Sequence, residues 1–134
     1  MPFLHTRTVR LADTDAAGVV FFARTLALCH EAYEEALAQA GLDLKQFLGT
    51  ADVIVPIAKS EAEYLRPLHC GDRLKISVTP SRLSPASFAV AFEITKVGPT
   101  DKLAARVRTE HVATSLAQRA RIPLPPALAS WVDA

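Results

Sequence analysis

Two carboxylates, Asp13 and Asp15, flank Thr14 and are followed by Gly18 and the bulky run Val19-Val20-Phe21-Phe22. Asp and Thr favour turns and helix caps. From Phe22 the apolar residues Leu26, Cys29, Tyr33, Leu37 and Ala40 recur every three or four positions, the period of an amphipathic helix. The spacing therefore predicts a loop carboxylate just ahead of a helix of about five turns. The first N–H groups of a helix are unpaired and carry the positive end of its dipole. Such donors can hold the developing oxyanion of acyl transfer, worth a few kcal/mol each. A carboxylate beside them can attack a carbonyl or deprotonate water. For a good leaving group such as a thiolate, that pair suffices without a metal or a triad. On spacing alone, however, Asp13 and Asp15 read first as loop and capping residues.

Other reactive side chains form no comparable group. His5, His30, His69 and His111 are scattered, and none pairs at metal-ligand spacing. His30 and Glu34 sit one turn apart, as surface or core-edge pairs do. Cys29 falls on the apolar helix face and reads as a small buried hydrophobe rather than a nucleophile. Neither a metal nor another cofactor is expected.

These residues must be positioned by the elements around them. Phe3 to Leu11 reads as a strand, and Gly41 as the stop of the long helix. Val53 to Pro67 reads as an extended stretch interrupted near Pro56, and His69-Cys70-Gly71-Asp72 as a turn. Leu74, Ile76 and Val78 alternate with Lys75, Ser77 and Thr79; Phe88, Val90, Phe92 and Ile94 alternate with Ala89, Ala91, Glu93 and Thr95. Ser84-Pro85 and Gly98-Pro99 are turns, and Leu103 to Ser115 is a last long strand. Pro123, Pro125 and Pro126 precede a short helix near Trp131. Strands joined by turns this short pair antiparallel. The reading is thus α+β, with one helix buried on a five-stranded sheet. A single helix covers one face, so the other face and an edge point to self-association.

The chain has 134 residues, half of them hydrophobic, and reads as one domain over 1–134. Fifteen Lys and Arg against 14 Asp and Glu give a net charge of +1, which argues against nucleic acid as the partner. Arg106, Arg108, Arg119 and Arg121 make the C-terminal third locally basic, as a solvated strand face and tail would be. The longest apolar run, Ala16 to Ala23, is too short to span a bilayer. Two cysteines in separate elements, Cys29 and Cys70, are expected to be reduced and buried, which points to the cytoplasm.

The stretch Asp13-Thr14-Asp15-Ala16-Ala17-Gly18-Val19-Val20-Phe21-Phe22-Ala23 closely resembles the signature of hot-dog fold acyl-CoA thioesterases of the 4-hydroxybenzoyl-CoA thioesterase type. Tyr64-Leu65-Arg66-Pro67, Gly71-Asp72 and Ser87-Phe88 are similar to that family too. With Cys29-His30-Glu31-Ala32-Tyr33-Glu34, the chain looks most like the cyanobacterial branch acting on 1,4-dihydroxy-2-naphthoyl-CoA in phylloquinone (vitamin K1) synthesis. The resemblance implies one long helix wrapped by a curved five-stranded antiparallel sheet. It implies Asp15 as the catalytic carboxylate and the Phe22 N–H as the oxyanion donor. Gly18, Phe21, Arg82 and Ser87 become substrate-binding candidates. It further implies an acyl-CoA substrate, a homotetramer built from dimers and active sites at dimer interfaces. Other acyl-CoA or acyl-carrier-protein substrates, or a non-catalytic acyl-CoA-binding domain, are the alternatives. Two positions depart from the pattern. Arg24 stands where many relatives have Asn, and Pro85-Ala86 where aryl-CoA relatives carry basic residues, which leaves Arg82 as the cation for the CoA phosphates.

Overall fold

The computed structural model describes residues 2–50 and 52–134, with the side chains of 48–50 excepted. In chain order come β1 (Phe3–Thr8), a 3-10 turn (Leu11–Asp13), α1 (Phe22–Gln39), α2 (Leu44–Thr50), β2 (Val53–Ile54) and β3 (Ile57–Tyr64). Then follow β4 (Arg73–Ser84), β5 (Ser87–Lys96), β6 (Lys102–Val112), β7 (Thr114–Ser115), β8 (Ala120–Arg121) and α3 (Pro126–Asp133). Five strands form one antiparallel sheet in the order β1-β4-β5-β6-β3, and β2, β7 and β8 form a small second sheet. This is the α+β hot-dog arrangement.

The alternation in β4 and β5 decides which face α1 covers. Ile76 lies opposite Ile94, itself opposite Ala105, and Val78 lies opposite Phe92, itself opposite Val107. These side chains are buried with Leu28, Cys29, Ala32, Ala36 and Leu37 of α1. Burying each large one is worth about 1.5–3 kcal/mol. Ala32 and Ala36 are fully buried, so bulkier residues there would push the helix off the sheet. The helix stops where expected. Gly41 takes φ +91°, and the Leu42 N–H donates to the Leu37 carbonyl at 3.0 Å, closing the last turn.

The opposite face is a charged ladder as well as the small residues Ala89 and Ala91. Arg106 meets Glu93 at 3.5 Å and Glu63 at 4.0 Å, and Arg108 meets Glu61 at 3.9 Å and also pairs with Glu110. The local basic excess is balanced there by cross-strand carboxylates.

Three details differ from the sequence expectations. The first strand ends at Thr8, and Leu11, expected as its last residue, instead opens the 3-10 turn. Cys29 is buried and Cys70 exposed, both free thiols; Cys70 is inside the tight turn whose Asp72 N–H donates to the His69 carbonyl. Finally, β3 does not pair with its successor β4 but with β6, across the sheet. Residues 65–72 must therefore cross the end of the sheet, and that crossing builds the site.

Candidate active site

The loop between the 3-10 turn and α1 folds back on Asp15. The Asp15 N–H donates to the Val19 carbonyl at 3.0 Å, and Thr14 bridges Val20. Gly18, at φ +79°, makes the reversal, a conformation that costs other residues more. One carboxylate oxygen, Asp15 Oδ1, accepts from the N–H groups of Ala17 at 2.9 Å and Val19 at 3.4 Å. Its Oδ2 has no donor among the described residues, and the side chain is exposed. The crossing segment braces this loop from below. The Val20 N–H donates to the Leu68 carbonyl at 2.9 Å, and Val19 bridges His69.

Phe22 opens α1 with Phe21 as its N-cap, and no side chain caps the helix. Phe brings no side-chain oxygen to the helix start, and the Arg24 N–H turns back to the Phe21 carbonyl at 2.9 Å, which leaves the first donors of the helix open. The Phe22 N–H is one of these orphans. Beside it lies a cavity of about 350 Å³ lined by Val20, Phe22, Thr25, Tyr64, Arg66 and Leu68, among others. The Tyr64 hydroxyl donates to the Phe22 carbonyl at 3.3 Å, tying the end of β3 to the helix start. Thr25 is only 4% exposed, and its hydroxyl makes no hydrogen bond with any described residue. Among the described residues no polar side-chain atom sealed from solvent lacks a partner, so that hydroxyl opens onto the cavity it lines.

Asp13 has a different part. It is fully buried and accepts from Arg24 Nε at 2.8 Å, the Arg10 N–H at 2.8 Å and the Arg7 guanidinium. Arg7 also reaches Glu31 on α1 at 2.7 Å. Burial alone would push the Asp13 carboxyl up, but these donors hold it down at about 2. Asp13 is thus an ionised hub that fastens the loop to β1 and the first turn of α1. Arg24, the departure from Asn, is one of its partners.

A family model described as thioesterase-like superfamily matches residues 9–132. The chain belongs to this thioesterase superfamily. It is 45% identical over 128 residues to the 1,4-dihydroxy-2-naphthoyl-CoA hydrolase of Thermosynechococcus vestitus, covering 96% of this chain and 86% of that one. The enzyme of that name from Rippkaea orientalis is 44% identical, with 96% and 93% covered. A solved structure of a 1,4-dihydroxy-2-naphthoyl-CoA thioesterase from Synechocystis superposes with a TM-score of 0.93 at 36% identity, covering 99% of this chain and 96% of that one.

Within this thioesterase the expected site residues divide. Asp15, Gly18, Phe21 and the Phe22 N–H share the loop and helix start, and Phe22 lines the cavity. Asp15, Gly18 and Phe21 do not line it within one chain. Arg82 and Ser87 are elsewhere. Arg82 is nine residues along β4 from Arg73, the strand end nearest the loop, a span of about 30 Å. Its guanidinium is held bidentately by Asp133, both contacts at 2.9 Å. Ser87 is buried and shares a 2.6 Å hydrogen bond with Ser84. Arg66, Thr25 and Tyr64 are the site residues that sequence reasoning passed over. Tyr64-Leu65-Arg66-Pro67 was a signal for two of them, for it is the motif that begins the crossing. Thr25 had no signal beyond its place one turn after Phe22.

Proposed function

We propose that this chain hydrolyses 1,4-dihydroxy-2-naphthoyl-CoA to 1,4-dihydroxy-2-naphthoate and CoA, a step toward phylloquinone. The observation that carries this reading is an identity of 45% to a hydrolase of that name over nearly the whole chain, joined to a free carboxylate oxygen and an open helix start on one loop.

The thioester carbonyl oxygen takes the Phe22 N–H, and the helix dipole stabilises the negative charge that develops on it. The free Oδ2 of Asp15 either attacks the carbonyl carbon or takes a proton from the water that does. Oδ1 stays pinned by two backbone donors, which fixes the carboxylate in its loop. The C–S bond breaks and CoA leaves as the thiolate; on the general-base route the water hydroxyl stays on the acyl carbon and its proton passes to the thiolate, whereas on the nucleophilic route water then hydrolyses the Asp15–acyl anhydride, releasing the acid, restoring the carboxylate and supplying the proton. Thr25 offers a hydroxyl to the attacking water. Arg66, the cation among the lining residues, takes over the role expected of Arg82 toward a CoA phosphate.

The active assembly in this reading is a homotetramer built from dimers. Phe22 is 72% exposed, Tyr64 53% and Leu65 43%. An apolar cluster of that kind around a cavity is what a second subunit covers. It would also enclose the thioester next to Asp15. In this reading the protein works in the cytoplasm, a compartment in which thiols such as Cys29 and Cys70 stay reduced. The test is a panel of CoA thioesters followed by thiol release, with the mass of the active species measured by light scattering. The dihydroxynaphthoyl thioester should exceed benzoyl and straight-chain acyl thioesters at least tenfold in kcat/KM, from a species of four chains. Preference for aliphatic thioesters would refute the substrate, and a fully active monomer would refute the assembly.

A further inference from the structure

The first turn of α1 keeps two open donors, not one. The Phe21 carbonyl accepts from the Arg24 N–H at 2.9 Å and from the Thr25 N–H at 3.3 Å, which occupies the third and fourth donors of the helix. The N–H groups of Phe22 and Ala23 have no acceptor among the described residues, and no side chain caps them. Neighbouring N–H groups of a first turn point the same way along the helix axis, so one oxygen can accept from both. The Thr25 side chain, 4% exposed and without a partner among the described residues, opens onto the cavity beside these donors. A buried hydroxyl in that state calls for a polar ligand group.

Tyr64 acts on the second donor. Its hydroxyl donates to the Phe22 carbonyl at 3.3 Å, and that carbonyl forms one peptide unit with the Ala23 N–H. A carbonyl oxygen has two lone pairs, so it can keep its helical bond and still accept from Tyr64. Drawing electron density onto the oxygen makes the N–H of the same unit a stronger donor. Tyr64 is well anchored for this part. It lies opposite Ala105, and the next two N–H groups, of Leu65 and Arg66, both donate to the Ala104 carbonyl, at 2.8 Å and 3.0 Å.

We propose that the Ala23 N–H is a second donor to the thioester oxygen, beside that of Phe22, and that Tyr64 is the positioning residue that strengthens and aligns it. The inference rests on the thioesterase reading and adds to its oxyanion site. One donor is enough to hold a neutral carbonyl oxygen. In the tetrahedral intermediate that oxygen carries a full negative charge and gains from both. The second donor should thus act on the transition state more than on the bound substrate, and appear in kcat rather than in KM.

Ala23→Pro removes this N–H without removing a helical hydrogen bond, and the first turn of a helix accepts proline. Tyr64→Phe removes only the hydroxyl. The experiment measures kcat and KM for the unmutated enzyme, each variant and the double variant, on the better cleaved of 1,4-dihydroxy-2-naphthoyl-CoA and benzoyl-CoA, with folding checked by circular dichroism. Ala23→Pro should lower kcat about a hundredfold and Tyr64→Phe about fivefold, with KM nearly unchanged. In the Ala23→Pro background Tyr64→Phe should lower kcat no further, because the donor it acts through is gone. Affinity for a CoA thioether of the same aryl group, which has no carbonyl oxygen, should be alike in all the proteins. Should Ala23→Pro fail to fold, Tyr64→Phe decides by its kcat and its thioether affinity. An unchanged kcat in a folded Ala23→Pro or in Tyr64→Phe, an equal Tyr64→Phe loss in both backgrounds, or a loss shared by the thioether would overturn the inference while the thioesterase reading stood. An unmutated enzyme that cleaves neither thioester would remove that reading and this inference together.

Discussion

Arg24 on the first turn of α1 donates to the fully buried carboxylate of Asp13 at 2.8 Å. One partner of the loop's first carboxylate is thus the residue that departs from the usual Asn. Asp13 gathers Arg7, Arg24 and the Arg10 N–H, so its loss strands buried donors. Asp13→Asn should lower stability on the order of 3 kcal/mol in urea melts. Arg24→Asn should cost under about 1 kcal/mol, since that guanidinium is partly solvated and Arg7 remains. Equal losses in the two variants would show that Arg24 and not Arg7 is the main support. Either way, the folded Asp13→Asn enzyme should keep most of its turnover.

Asp15 should behave in the opposite manner. Asn retains an oxygen that can accept from the Ala17 and Val19 N–H groups, so the loop survives Asp15→Asn. What goes is the free anionic oxygen. The melting temperature should stay within a degree or two, while kcat falls on the order of a thousandfold. An Asp15→Asn enzyme of full activity would end the carboxylate mechanism.

The parts of this structure that were legible in the sequence are those set by local period. Phe22, Leu26, Cys29, Tyr33 and Leu37 mark α1 to within a residue of its ends, and Leu74 to Val78 and Phe88 to Ile94 show which face of the sheet is buried. The pairing of β3 with β6 was not legible, because nothing in Ile57–Tyr64 names its partner. That strand is an edge, exposed over nearly its whole length, so it has little alternation to read. The short α2 lacks enough turns for a period to show. Asp13 and Asp15 carry the same side chain two residues apart. Only the packing of Arg7 and Arg24, distant in sequence, makes one structural and leaves the other free. Arg66 needed the crossing of residues 65–72 to bring it to the cavity. Arg82 looked suitable until the C-terminal helix supplied Asp133.

Thr25 gives a prediction that separates positioning from packing. Its hydroxyl opens onto the cavity without a partner among the described residues, while the residue as a whole is buried. Thr25→Val keeps the shape and removes the hydroxyl, so the fold should gain or lose little. If the hydroxyl holds the attacking water, kcat should fall about tenfold to a hundredfold with KM nearly unchanged. Thr25→Ser should restore most of the rate. A Val variant with normal kcat, or a Ser variant no better than Val, would assign Thr25 to packing alone.

Acid should destabilise the protein in two windows, the upper set by His111 and the lower by Asp13 together with Asp52, Asp72, Glu110 and Asp133, whose carboxyls are also held low by their donors. His111 is kept neutral by burial, with its pKa lowered from 6.5 to about 4. Between those values the unfolded chain binds a proton that the native state refuses. Its contribution is therefore complete above pH 6.5 and is lost as the pH falls toward 4, on the order of 3 kcal/mol in all. Asp13 is lowered from 3.8 to about 2 by its donors, against the pull of burial. Its contribution is complete above pH 3.8 and is lost as the pH falls toward 2, on the order of 2 kcal/mol. Both therefore destabilise on acidification, in adjoining windows. Urea melts at half-unit intervals from pH 7.5 to 3 should show stability falling from about pH 6.5 downward, with no plateau before Asp13 takes over. In His111→Phe the first segment should flatten while the second persists. A His111→Phe protein that loses stability between pH 6.5 and 4 as steeply as the unmutated one would show that the buried imidazole is not the group responsible.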